Sequence, residues 1–118
     1  RDLADAGLQL AMVSSNAEDN VRQILGPATA ALFASFECGM SIFGKAARLN
    51  NVLRQLRVAA VDALYVGDQT TDAEAARAAG VAFAAVAWGY GTIESLRVHQ
   101  PAAEFTAVAD IARQLQVA

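Results

Sequence analysis

Apolar and polar positions fall in blocks along the chain, and the block lengths predict alternating helices and strands. Residues 1–7 read as the end of a helix, stopped at Gly7. "LQLAMV" (8–13) is an apolar run of strand length. Over 16–25, Val21, Ile24 and Leu25 recur at helical spacing. Either of two pairs, Ser15 with Glu18 or Asn16 with Asp19, would cap that helix, and Gly26-Pro27 ends it. Residues 31–37 read as a short strand. Residues 43–56 read as a helix with Leu49, Val52, Leu53 and Leu56 on one face, and 62–66 as a strand. A helix of strong formers at 71–80 closes on Gly80. Residues 81–88 are apolar without alternation, which marks a strand buried on both faces. A helix at 92–99 stopped by Pro101, a short strand at 104–106 and a helix at 107–116 complete the chain.

Continuously apolar strands separated by helices imply the α/β class: a three-layer, Rossmann-like parallel sheet with helices on both faces. The 118 residues suit one small domain, and no repeat or linker divides 1–118. With 55% hydrophobic and 18% charged residues, a packed core is expected rather than disorder. A net charge of −3 argues against a broad nucleic-acid surface. Charged or polar residues interrupt every apolar run before it reaches membrane-span length, and no signal-peptide pattern opens the chain. A single cysteine, Cys38, cannot form an internal disulfide, which fits a reducing, cytoplasmic setting. The chain opens on Arg1 inside a helix-like segment, so a fragment or processed piece is expected.

In parallel sheets, ligands bind beyond the carboxyl ends of the strands. Ser14, Ser15 and Asn16 follow the first strand. Gly67, Asp68 and, one helical turn on, Asp72 follow the third. Gly89, Tyr90 and Gly91 follow the fourth. Lys45, the only lysine, opens a helix behind Gly44. A hydroxyl and free amides at a helix start suit phosphate, and that describes Ser14 with the amide of Ser15. A lysine supplies a compact charge for phosphate oxygens. Two carboxylates at a strand end suit Mg²⁺, which takes few acids and keeps its waters. Asp68 would be the first, with Asp72 as the second or as an orienter of Lys45. Each member also has a plain structural reading. Asp68 and Asp72 can cap the helix at 71–80. Ser14–Asn16 can be an N-cap, and Lys45 a solvated surface lysine. Trp88 and Tyr90 can pack at a loop edge, His99 can end a surface helix, and Cys38 can pack as a small apolar residue. The case for chemistry rests on the combination and its order.

That order resembles the haloacid dehalogenase superfamily of phosphotransferases, in members like phosphoglycolate phosphatase. "LAMVSSN" resembles the family's Ser/Thr motif, with Ser14 as the hydroxyl. "FGKAARL" resembles the lysine motif through Lys45, with Ala46 where many relatives have proline. "YVGDQTTDAEAARAAG" resembles the acidic motif, and "AFAAVAWGYG" the next strand and loop. The resemblance implies a Mg²⁺-dependent phosphomonoesterase acting on a small phosphorylated metabolite through an aspartyl-phosphate. Ser14, Ser15, Asn16 and Lys45 would hold the phosphate, and Asp68 and Asp72 the metal. The family's first motif, Asp-x-Asp after a strand, is absent, and so is the cap that follows it. The chain is therefore expected to be the C-terminal part of such a core, inactive alone. In the family sheet the missing strand lies between those at 8–13 and 62–66. Either these two pair directly, or a missing segment or a second chain completes the sheet. A phosphoacceptor receiver domain carries similar residues in a different order, acids before hydroxyl before lysine, and is disfavoured. A non-catalytic binding module of the same fold remains the alternative.

Overall fold

The apolar blocks become strands and the amphipathic blocks helices in the computed structural model, which describes residues 2–39, 44–89 and 92–116. The chain divides into two compact units, Arg1–Arg57 and Val58–Ala118.

The first unit holds α1 (Asp2–Asp5), β1 (Leu10–Ser14), α2 (Glu18–Leu25), α3 (Pro27–Ala30), β2 (Phe33–Cys38) and α4 (Gly44–Leu56). β1 and β2 run parallel, with Ser14 opposite Cys38, so both strands end side by side. α4 packs on both strands and α2 on β2. The α4 contact uses the expected stripe: Leu49 and Val52 are buried, Leu53 and Leu56 partly so. A hydrogen bond from the buried Ser35 hydroxyl to Gln55 Oε1 (2.8 Å) adds a polar tie. On α2, Arg22 pairs with Glu18 at 2.7 Å and lies 4.1 Å over the Phe36 ring, holding the helix to β2.

The second unit holds a 3₁₀ turn (Ala60–Asp62), β3 (Leu64–Gly67), α5 (Thr70–Ala79), β4 (Ala82–Val86), α6 (Ile93–Arg97), β5 (Ala103–Phe105) and α7 (Val108–Gln116). Its sheet is parallel in the order β3-β4-β5. β4 is central, and Phe83, Ala84, Ala85 and Val86 are all buried, as the unalternating run implied. α5 covers β3 and β4, α6 packs on β4, and α7 on β5. The core joins Ala84, Val86 and the fully buried Phe105, with Leu64, Ala103 and Ile111 packed around them. Gly80 ends α5 in the left-handed conformation (φ 75°), the C-cap the sequence indicated.

The α/β class with parallel strands is as expected; one local reading is corrected and two are made more specific. The N-cap of α2 is Ala17, with no side-chain cap, rather than Ser15 or Asn16. The Asn16 carbonyl instead accepts the Gly39 N–H (2.7 Å), so Asn16 belongs to a loop tied to the end of β2. Gly26-Pro27 ends α2 but also opens α3, because proline is well suited to the first helical position. Of the two alternatives for the strands at 8–13 and 62–66, direct pairing is not the one adopted: they are assigned to different sheets. Residue 43, placed at the start of α4 by the sequence pattern, lies outside the described residues.

Replacing Phe105 by Ala should cost about 3–5 kcal/mol, the range for emptying a fully buried aromatic site. Val61, 86% exposed, should tolerate Ala within about 0.5 kcal/mol. Equilibrium urea unfolding of both variants followed by circular dichroism checks the contrast.

Candidate functional site at the strand ends

β3 ends at Gly67, and the chain must turn from strand to helix within Asp68 and Gln69. Those two backbone N–H groups donate to one oxygen of Asp72, at 3.2 and 3.1 Å. Asp72 stands at the third position of α5, where a carboxylate can reach back to the N-cap amide and also favours the helix dipole. Its other oxygen accepts the Tyr65 hydroxyl at 3.1 Å. Asp72 is thereby 5% exposed, yet satisfied. Burial, then the charge of Asp72 and the hydrogen bond to it, raise the Tyr65 phenol pKa above its ordinary value, so Tyr65 stays a donor.

Two glycines make room for the two acids. A Cβ on Gly67 would lie 2.7 Å from the Cβ and Oδ2 of Asp72, and a Cβ on Gly89 would run into the Asp68 side chain. Asp68 lines a recess of about 580 Å³ at the carboxyl ends of β3 and β4, with Val66, Gly67, Val86, Trp88 and Gly89. Trp88 is 45% exposed on that wall. Tyr90 and Gly91 lie outside the described residues.

In the first unit, Ser14 is the last residue of β1. Its hydroxyl oxygen accepts the Asn16 N–H at 3.1 Å, closing a tight turn that leaves Ser15 and Asn16 exposed. Lys45 is partly buried in the first turn of α4. One turn further on, Arg48 is 7% exposed. Its Nη1 donates to the carbonyls of Ser14 (2.8 Å) and Glu37 (3.3 Å), and its Nη2 donates to the carbonyl of Gly39. Cys38, partly buried beside these groups, has its thiol pKa raised, first by burial and then by Glu18.

The structure thus gathers Ser14, Ser15 and Asn16 in one turn of the first unit. It gathers Asp68 and Asp72 at the junction of β3 and α5 in the second. Sequence reasoning missed Tyr65 and Arg48. Arg48 had a signal: it lies on the stripe that includes Lys45, Leu49, Val52 and Leu56, where an arginine is out of place. Tyr65 had a weaker one, standing two residues before Gly67 on the same strand face. An oxygen-only donor at a strand end suits a hard cation such as Mg²⁺, and Asp68 on the recess wall fits that requirement. No group of three or more metal-ligating side chains occurs among the described residues. Among the described residues, no helix is long and apolar enough to cross a membrane.

A family model described as haloacid dehalogenase-like hydrolase matches residues 1–86. The phosphoglycolate phosphatase of Synechococcus elongatus is 33% identical over 95 residues, covering 80% of this chain and 45% of its own length. The tyrosine-protein kinase PtkA of Mycobacterium tuberculosis is 35% identical over 94 residues, 76% of this chain and 32% of its own. A crystal structure described as a predicted phosphoglycolate phosphatase from Haemophilus somnus 129PT superposes with a TM-score of 0.83 at 26% identity, over 96% of this chain and 52% of that one. The chain therefore spans less than half the length of these two curated relatives.

Tyr65→Phe removes one hydrogen bond to a buried carboxylate and should cost about 0.5–1.5 kcal/mol at pH 7. The Tyr65 pKa is higher folded than unfolded. Its contribution is therefore complete below about pH 10, the unfolded value, and declines as pH rises beyond it. Between pH 9 and 11 the wild type should lose more stability than Tyr65→Phe, and urea unfolding at each pH measures the difference.

Proposed function

The chain belongs to the haloacid dehalogenase-like hydrolase family, and from that premise we propose that it forms part of a Mg²⁺-dependent phosphomonoesterase acting on a small phosphorylated metabolite of the phosphoglycolate kind. The observation that carries the reading is Asp68, set directly after β3 on the wall of the recess, with Gly89 leaving it room.

In this reading the Ser14 hydroxyl, the amide of Ser15 and Lys45 bind the phosphate oxygens, and Asn16 completes the site by closing the turn through its N–H on the Ser14 hydroxyl. Asp68 is the metal carboxylate. Asp72 helps it by fixing the loop through the Asp68 and Gln69 amides. A Mg²⁺ held there would supply the charge neutralisation that phosphoryl transfer needs. No Asp-x-Asp occurs in the 118 residues. The carboxylate that would form the aspartyl-phosphate must come from a further segment or a second chain, and these residues alone would not turn over substrate. A cytoplasmic location agrees with the lone cysteine. The missing nucleophile also motivates the second reading, a binding module of the same fold that retains phosphate and metal affinity without catalysis.

Calorimetric titration should show Mg²⁺ binding that Asp68→Asn weakens by about tenfold or more, equivalent to about 1.4 kcal/mol. Gly89→Ala should weaken it too, by displacing Asp68. Equal Mg²⁺ affinity in Asp68→Asn and wild type would remove the metal assignment. Hydrolysis of p-nitrophenyl phosphate with Mg²⁺ should be absent from the 118-residue chain and present in the intact gene product. An inactive intact product would favour the binding module.

A further inference from the structure

Arg48 is a buried charge that the phosphatase reading does not use. Taking a guanidinium out of water costs several kcal/mol unless its donors are satisfied. An apolar side chain on the α4 stripe would cover β1 and β2 at less cost, so packing does not account for an arginine here. What the guanidinium adds is geometry. Its planar fork meets the Ser14 and Glu37 carbonyls at 2.8 and 3.3 Å and also the carbonyl of Gly39. These three oxygens lie at or just past the ends of β1 and β2. A fourth bond, from the Gly39 N–H to the Asn16 carbonyl (2.7 Å), also joins the segments that follow β1 and β2. Ser14 is consequently held at both ends: its carbonyl by Arg48, its hydroxyl by the Asn16 N–H.

We propose that Arg48 is a positioning residue for the anion site. By clasping the carboxyl ends of β1 and β2 it fixes where the Ser14 hydroxyl and the Ser15 amide point, with the Asn16 N–H holding that hydroxyl in place. Phosphate meets a preformed turn instead of ordering one at the cost of affinity. The inference rests on reading Ser14 to Asn16 as the phosphate-binding turn.

Inorganic phosphate titrated into the ¹⁵N-labelled chain, with amide shifts recorded at a temperature where every variant is folded, tests both levels. In the wild type, the Ser15 and Asn16 amides should shift with saturation. Ser14→Ala should weaken binding, which tests the underlying reading. Arg48→Gln should weaken it by about tenfold, with the free-state amides of Ser15, Asn16 and Gly39 displaced. Arg48→Lys keeps the stem and the charge but loses the fork, and should bind with intermediate affinity; should Arg48→Gln fail to fold, it carries the comparison. A merely structural arginine would lower the melting temperature of these variants and leave phosphate affinity unchanged. Wild-type affinity in a folded Arg48 variant, alongside a weakened Ser14→Ala, overturns the inference and leaves the reading of the turn intact. No response of the Ser15 and Asn16 amides in the wild type overturns both.

Discussion

A parallel strand that ends its ladder leaves backbone donors and acceptors with no neighbouring strand to meet, and in a small apolar protein those groups must be satisfied at once. This constraint accounts for every buried charged side chain among the described residues: Arg48, Asp72 and Asp110. Arg48 gathers carbonyls at the ends of β1 and β2. Asp72 gathers amides past β3. Asp110 accepts the Thr106 and Ala107 amides and the Thr106 hydroxyl past β5, and also pairs with Arg113. Each charge stands within the first turns of the helix that follows a strand, so one side chain fixes both the turn and the helix start.

The comparison of Asp72 with Asp110 separates the roles of the two acids at 68 and 72. Both aspartates hold the same place, reaching back from the third helical position to two amides of the preceding loop. Asp110 has no neighbouring acid in its loop, which shows the device to be architectural. In the β3 loop the same device carries an extra carboxylate, Asp68. Two amides, a phenol and a helix start absorb the negative charge of Asp72. Asp68 is presented to the recess by a loop that is already satisfied.

Much of this was legible in the sequence. Apolar block length gave the strands, and the unalternating run at 81–88 identified the central strand of its sheet, because burial on both faces removes the period of two. Gly80 was readable as a cap because a left-handed residue at a helix end favours glycine. The acidic motif was readable as a strand-end loop, although its two acids read equally as a cap and as a metal pair. The structure gives Asp72 the capping contacts and puts Asp68 on the recess. What could not be read depended on contacts between segments far apart in the chain. Arg48 meets carbonyls 34 and 9 residues away, and no local pattern encodes such a pairing. The cap of α2 failed for a related reason. Ser15 and Asn16 have the right chemistry for it, but a bond from Gly39 draws the Asn16 carbonyl into another loop.

The wall of the recess has one more property. Trp88 is the only tryptophan in the chain, and it shares the recess with Asp68 while remaining 45% exposed. An indole so placed lies at the boundary between water and an apolar surface, where its emission energy follows the local polarity. The protein therefore carries a native optical probe beside its acidic loop, and whatever enters the recess can be followed by the colour of its fluorescence without a label.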